Sequence, residues 1–323
     1  MKNVLFVGPK WCDANPELSF NTNDFFSLYT TFSKYKSDYH WDVLNMDESV
    51  VTYGSHINNI IVEHCRKYKV EIVFFSLING FDYNPSIETL KELRKMGIYL
   101  CFFWPDTGPE WGFGTIQSLQ ECSDLHISYD SPRSQWHDEH PKWSNYLPMW
   151  TPHDDNLFYR DPQKEIDVSF LGTYQKHPER IACLSYWQKK IPTLFISGGQ
   201  RQEKLSIYQY ALYVRKSKMG VNFPLSQTQV FLQAKGRIFE HMACETLLFD
   251  VPNPATRDFF KPGEEYIEFS TPDDFVEKVN YYLKHEDERK AIAERGSNAF
   301  YAKYSGKIFW DKLMNRIEGE QHD

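Results

Sequence analysis

Three charged side chains at short spacing carry the sharpest chemistry in this chain. They are Lys235, Arg237 and Glu240, in the run Lys235-Gly236-Arg237-Ile238-Phe239-Glu240-His241-Met242-Ala243-Cys244. The spacing of Ile238, Met242 and Ala243 predicts a helix over Ala234–Cys244 with one apolar face. Lys235 and Arg237 then stand at its start, where unpaired N–H groups and the helix dipole already favour negative charge. Two cations there suit a diphosphate. Glu240 follows one turn later, and a carboxylate can accept hydrogen bonds from two vicinal hydroxyls, such as those of a ribose. Together the three groups describe a nucleotide-diphosphate site. The plainer alternative for the same residues is an amphipathic helix with a solvated charged face.

Other candidates lie at the ends of apolar runs. In Phe170-Leu171-Gly172-Thr173, Gly172 would let the backbone approach a phosphate and Thr173 could donate a hydrogen bond. Asn222 ends a further apolar run and is a possible contact of the same kind. In Phe102-Phe103-Trp104-Pro105-Asp106, Asp106 directly follows a buried strand, and apolar neighbours would raise its pKa toward that of a general base. Glu110 is the reserve candidate in the same loop. His137-Asp138-Glu139-His140 spaces its histidines i, i+3 with no third ligand motif nearby, which reads as solvated surface and not as a zinc site. His153-Asp154-Asp155 reads as a hinge or cap. No two aspartates are spaced i, i+2, so no metal-diphosphate motif of that type is present. No G-x-G-x-x-G, P-loop, G-x-S-x-G or HExxH pattern occurs either.

The elements that must position these groups alternate along the chain. Apolar strands are predicted at Asn3–Val7, Trp41–Met46, Val70–Ser76, Ile98–Trp104, Leu125–Tyr129 and Asn145–Met149. Helices are predicted between them at Phe20–Tyr35, His56–Tyr68, Ser86–Met96, near Thr115–Cys122 and around Pro132–Glu139. The polar segment Thr151–Lys164 reads as a linker. A second series follows: strands Ile166–Leu171, Pro192–Ser197, Met219–Phe223, the run after Cys244 and Tyr266–Phe269, with helices Pro178–Lys190, Lys204–Lys216 and Pro272–Lys284. Helices at Glu286–Tyr301 and Ser305–Glu318 close the chain. Strands apolar on both faces and separated by helices predict an α/β fold with parallel, doubly wound sheets. The 323 residues, 41% of them hydrophobic, suffice for two such domains. The net charge of −8 argues against wholesale nucleic-acid or anionic-membrane binding. Six scattered cysteines without CxxC spacing suit free thiols in a reducing compartment. No signal peptide or long apolar run is seen, so the expected location is the cytoplasm.

The stretch from Lys235 onward resembles the donor-site helix of GT-B glycosyltransferases, in particular the group-1 enzymes and their CgeB-like (spore-maturation type) branch. That pattern is roughly Lys/Arg-x-Phe-Glu-x-x-Ala-x-Gly and a hydrophobic strand. The resemblance continues through Pro254–Pro262, Glu264-Glu265-Tyr266-Ile267 and Leu283–Arg289, covering most of Asp167–Tyr304. It departs in two places: the earlier glutamate of the group-1 pair would fall at Leu232, and the small residue that usually ends the helix is Glu245. The resemblance implies two Rossmann-like domains facing a cleft, with C-terminal helices crossing back. Residues 1–155 would be the acceptor domain, 156–303 the nucleotide-sugar donor domain, and 304–323 a helix returning to the first.

It also implies that Glu240 holds the donor ribose, that Gly199 lies at the nucleobase, and that the Gly8-Pro9-Lys10 loop meets the sugar or diphosphate. The expected activity is metal-independent glycosyl transfer from a nucleotide-diphospho-sugar such as a UDP-sugar, with no cofactor. The acceptor would be a hydroxyl of a glycan, protein or small molecule, or, as a special case, a modified nucleic-acid base. The rival readings are a sugar-nucleotide epimerase and a non-catalytic nucleotide-sugar-binding protein.

Overall fold

The computed structural model describes residues 2–11, 25–76, 84–104, 119, 122–129, 131, 145–175, 177–198, 205–225 and 232–320. Asp106, Glu110, the His137–His140 string and Gly199 lie outside them. The chain divides into two compact units. One comprises Met1–Asp130, Gln135–Pro152 and Phe309–Asp323, the other Ser131–Ser134 and His153–Ile308.

The first unit holds a six-stranded parallel sheet of β1 (Asn3–Gly8), β2 (His40–Asn45), β3 (Ile72–Ser76), β4 (Tyr99–Trp104), β5 (Leu125–Tyr129) and β6 (Tyr146–Met149). Its order is β2-β1-β3-β4-β5-β6. The pleat sends alternate residues to opposite faces, so each central strand needs apolar residues throughout. Leu5, Val73, Phe75, Leu100 and Phe102 join α3 (Ile57–Tyr68) and α4 (Ile87–Lys95) through Ile61, Cys65, Leu90 and Leu93. Phe6 and Phe74 face the other way and meet Phe32 of α1 (Thr30–Tyr35) and Trp310, with ring centroids 5.1–6.2 Å apart. The Trp310 indole donates to Thr31 Oγ1 at 2.7 Å, so this C-terminal residue completes the first unit's core.

One helix here has no counterpart in the sequence reading. Strand β2 gives way at once to α2 (Met46–Tyr53), whereas the hydrophobic run predicts strand through Met46. Met46 is fully buried, but as the first residue of that helix.

The second unit repeats the pattern with β7 (Ile166–Leu171), α5 (Pro178–Lys190), β8 (Leu194–Ser197), α6 (Ile207–Lys216), β9 (Ser217–Val221), α7 (Gly236–Ala243) and β10 (Leu247–Asp250). Then come α8 (Pro254–Arg257), β11 (Ile267–Glu268), α9 (Pro272–Lys284), α10 (Glu286–Lys303) and α11 (Gly306–Glu320), the last shared with the first unit from Phe309. The sheet is again parallel, in the order β11-β10-β9-β7-β8. Val168, Phe170, Met219, Val221, Leu247 and Phe249 pack on Trp187, Phe275 and Val279.

Strand β9 starts two residues earlier than the apolar run predicts, because Ser217 pairs with Ile166 of β7. Phe223, read as the strand's end, lies beyond it and stacks on Trp187 at 5.6 Å. The segment read as a linker is not solvated throughout. His153, Leu157 and Phe158 are buried, and Lys164 Nζ donates to the carbonyls of Arg215 and Cys244, capping the ends of α6 and α7. No helix among the described residues is long and apolar enough to cross a membrane.

Candidate functional site: a cationic turn on the second sheet

Helix α7 begins at Gly236 with Lys235 as its N-cap in extended backbone, and no side chain caps the first N–H groups. Its buried face is wider than the sequence spacing showed: Ile238, Phe239, His241, Met242 and Ala243 all turn inward. The His241 ring lies directly on Gly220 of β9, where any Cβ would collide with it. That contact draws α7 close to the sheet. It leaves Arg237 and Glu240 as the polar residues of the helix that are only half-buried.

Arg237 reaches across the carboxyl edge of the sheet. Its Nε donates to the Leu171 carbonyl at 3.0 Å and Nη1 to Asn222 Oδ1 at 3.2 Å, and the guanidinium lies 5.4 Å from the centre of the Phe170 ring. The remaining Nη2 sits where a side chain at position 172 would be, and Gly172 has φ +153°. The backbone therefore favours glycine there, and a Cβ would displace the Arg237 tip. Gly198, at φ +100°, backs onto Gly172, which donates its N–H to the Ser197 carbonyl at 2.9 Å. Three candidates thus come together: Gly172, Asn222 and Arg237.

A second arginine, which the sequence reading missed, closes on the same turn. Arg180 in the first turn of α5 donates from Nη1 to the Thr173 carbonyl at 3.0 Å. Burial and then the nearby Arg237 charge push its pKa down to about 10. Among the described residues no carboxylate lies within ion-pair distance of either arginine. Thr173 itself is exposed and engaged through its carbonyl. A signal for Arg180 was present: a cation in the first turn of a helix opposes the dipole, and such a local violation often marks function. Beside Arg180 an apolar cavity of about 170 Å³ is walled by Phe223, Pro224, Leu225, Leu232 and Val251. Leu232, at the position of the missing first glutamate, pairs its backbone with Leu225.

Glu240 is held from the next helix. The Tyr210 hydroxyl donates to Glu240 Oε2. Burial raises the Glu240 pKa, while the Tyr210 hydrogen bond and the Arg237 charge pull it back. Lys235 donates to Gln233 Oε1. Asn222 is itself anchored, its Nδ2 donating to Asp250 Oδ1 at 3.2 Å. Asp250 also accepts from Val251 N at 3.0 Å and Thr256 Oγ1 at 2.7 Å, and burial pushes its pKa up to about 7. Asp250 is the last residue of the buried strand β10, and an aspartate closing an apolar run is a signal present in the sequence.

The remaining candidates sit apart from this turn in the chain. Gly8, in the first unit, is enclosed by Ser76 Cβ and the Tyr29 hydroxyl, each 3.0 Å from where its own Cβ would be. Asp154 caps its own turn by accepting from Asn156 N at 2.9 Å. His153 packs against Phe158 and Phe239, and burial lowers its pKa to about 3. No group of three or more His, Cys, Asp or Glu residues suited to a metal occurs among the described residues.

Comparison with known proteins bears on this geometry. Residues 160–315 match the family model described as glycosyl transferase-like. No curated protein matches the chain in sequence. Among solved structures, sucrose-phosphate synthase from Thermosynechococcus elongatus superposes with a TM-score of 0.65 at 10% identity, covering 99% of this chain and 100% of that one. HepE from Anabaena, solved with UDP and glucose, gives 0.64 at 9% identity over 99% and 100%. A putative UDP-N-acetylglucosamine 2-epimerase from Listeria monocytogenes gives 0.59 at 10% over 100% and 97%. The fold is GT-B. The family match spans the arginine turn, α7 and the C-terminal helices, while the narrower CgeB-like resemblance stays with the residues quoted for it.

Proposed function

We propose that the chain is a glycosyltransferase that moves a sugar from a nucleotide-diphospho-sugar, in the first instance a UDP-sugar, to an acceptor hydroxyl. One observation carries the reading: Arg180 and Arg237 converge on the Leu171-Gly172-Thr173 turn, and neither is ion-paired with a carboxylate among the described residues. Two guanidinium groups held together repel unless an anion joins them, and a diphosphate offers the oxygens that arginine forks match. Glu240, one turn from Arg237, supplies the acceptor for a ribose. The family match over the same residues and the fold shared with UDP-complexed HepE support the choice of donor.

In this reading the arginines and the start of α7 stabilise the charge that grows on the leaving diphosphate, so no metal is needed. Asp106 takes the proton from the acceptor hydroxyl, which is otherwise a poor nucleophile at neutral pH. Thermal shift against a panel of nucleotide-sugars identifies the donor, since a ligand at 100 times its Kd adds about 2.7 kcal/mol. Release of free UDP that depends on added acceptor, and that survives chelator, is the expected result. A strict requirement for Mg²⁺ or Mn²⁺ would overturn the metal-free route.

The likeness to the putative epimerase favours one second reading, sugar-nucleotide epimerisation at the same donor site. An epimerised nucleotide-sugar appearing without any acceptor would select it.

A further inference from the structure

Arg237 and Glu240 stand three residues apart on α7, a spacing at which an arginine and a carboxylate ordinarily pair on a helix. Here they form no direct ion pair. Arg237 instead donates to two neutral acceptors, the Leu171 carbonyl at 3.0 Å and Asn222 Oδ1 at 3.2 Å. Tyr210 of α6 holds the carboxylate instead. Its hydroxyl donates to Glu240 Oε2, and the charges of both Glu240 and Arg237 act on it.

We propose that Tyr210 is a positioning residue that keeps Arg237 and Glu240 apart, so that the guanidinium stays unneutralised for a diphosphate and the carboxylate for a ribose. This assignment of tasks rests on the donor-site reading above.

The argument is one of charge and of lone pairs. A bidentate arginine–carboxylate pair would occupy both oxygens of Glu240 and two N–H groups of Arg237. It would also cancel the net charge of the pair. A phenol hydroxyl uses one oxygen of Glu240, and no described residue donates a hydrogen bond to the other, Oε1. His153 Nδ1 lies 4.0 Å from Oε1.

Tyr210 is itself well fixed. It lies in the first turn of α6, which opens with a capping box in which Ser206 and Gln209 exchange hydrogen bonds. Its ring meets Phe158 edge-on at 6.0 Å. Phenylalanine would fill the same space but would remove the hydroxyl that holds Glu240 Oε2.

The test is Tyr210→Phe combined with Glu240→Gln, read by UDP titration. In the parent protein Glu240→Gln should weaken UDP, because it removes a charge-assisted contact. In the Tyr210→Phe protein Arg237 is expected to fall onto Glu240, weakening UDP by roughly tenfold or more. Adding Glu240→Gln to that variant should then recover affinity, because an amide does not hold a guanidinium so firmly. A change whose sign depends on residue 210 is not what a merely structural role gives. If the two losses simply multiply, the assignment is wrong. A crystal structure of Tyr210→Phe without nucleotide decides the collapse itself. Arg237 within about 4 Å of Glu240 is expected, and Arg237 still on Leu171 and Asn222 would overturn the proposal. Should the parent bind no UDP, the donor-site reading falls while this structural comparison still decides the role of Tyr210.

Discussion

The two units share one topology but treat its anion-binding position in opposite ways. In each sheet the first strand lies between the second and the third, β1 between β2 and β3 and β7 between β8 and β9. The turn after that strand lies at the carboxyl edge, where ligands bind in such sheets. In the first unit that turn is filled by the protein itself. Asp47 of α2, buried to 3% exposure, accepts from Lys10 N at 3.0 Å and Trp11 N at 2.7 Å. Glu48 takes the Lys10 ammonium at 2.7 Å. In the second unit the equivalent turn meets Arg180 and Arg237, neither ion-paired with a carboxylate among the described residues. Topology supplies the position; the residues that follow decide whether it is already occupied.

Acid should have the largest effect, and it should act on both units alike. The second unit buries His153 and His241, and the first His126, each with its pKa lowered to about 3 by burial. An unfolded histidine titrates near 6.5. Depression on folding means that the stabilisation is full above about 6.5 and is lost as pH falls toward 3, at about 1.4 kcal/mol per pH unit for each group. Asp250, raised to about 7, acts in the opposite sense, its contribution being lost as pH rises through about 7. One carboxyl does not offset three imidazoles. Urea midpoints should therefore fall from pH 6.5 to 5, and amide exchange should rise in both units together. A flat profile would contradict the neutral buried histidines.

Removing Arg237 should break the cationic turn next. Arg237→Ala is expected to weaken UDP by about 3 kcal/mol, roughly a hundredfold, and uridine far less. Calorimetry with both ligands checks it, and equal losses would move Arg237 off the phosphates. Arg237→Lys should not restore binding, because an ammonium cannot span Leu171, Asn222 and a ligand at once.

Emptying the first unit's turn makes it resemble the second. Asp47→Ala orphans the N–H groups of Lys10 and Trp11 and should cost about 1–3 kcal/mol of stability. Inorganic phosphate should recover part of that loss in a melting experiment and should do nothing for the parent protein at the same turn. No loss of stability would mean that Asp47 is not what fills it.

The smallest effect concerns the end of α7. Glu245 has φ +53°, a left-handed conformation that favours glycine. Glu245→Gly should stabilise by up to about 1 kcal/mol, less whatever the 3.5 Å pair with Arg160 contributes. Chemical denaturation measures it, and a clear loss would show that the Arg160 contact outweighs the backbone strain.

Much of this molecule was legible in its residues. The alternation of apolar runs and helical spacing placed the strands of both sheets, since burial on both faces demands apolar residues at every position. Lys235, Arg237 and Glu240 could be assigned to a helix start because capping and the dipole are local effects. Even the strained C-terminus of α7 was marked, by Glu245 standing where the related pattern has a small residue. Two local readings failed for a physical reason. Helix α2 and the start of β9 are set by pairing and packing with distant residues, such as Ser217 against Ile166, which hydrophobicity alone does not record.

What only the tertiary structure decided is which charges meet. Arg180 and Arg237 belong to different helices and converge because parallel strands bring the turn after β7 beside the end of β9. Tyr210 reaches Glu240 because α6 packs beside α7, and Asp47 reaches Lys10 because α2 begins where β2 ends. A chain specifies its elements through periodicity, which is local. It specifies its site through the convergence of side chains far apart in sequence, which exists only once crossover connections have set strand ends side by side.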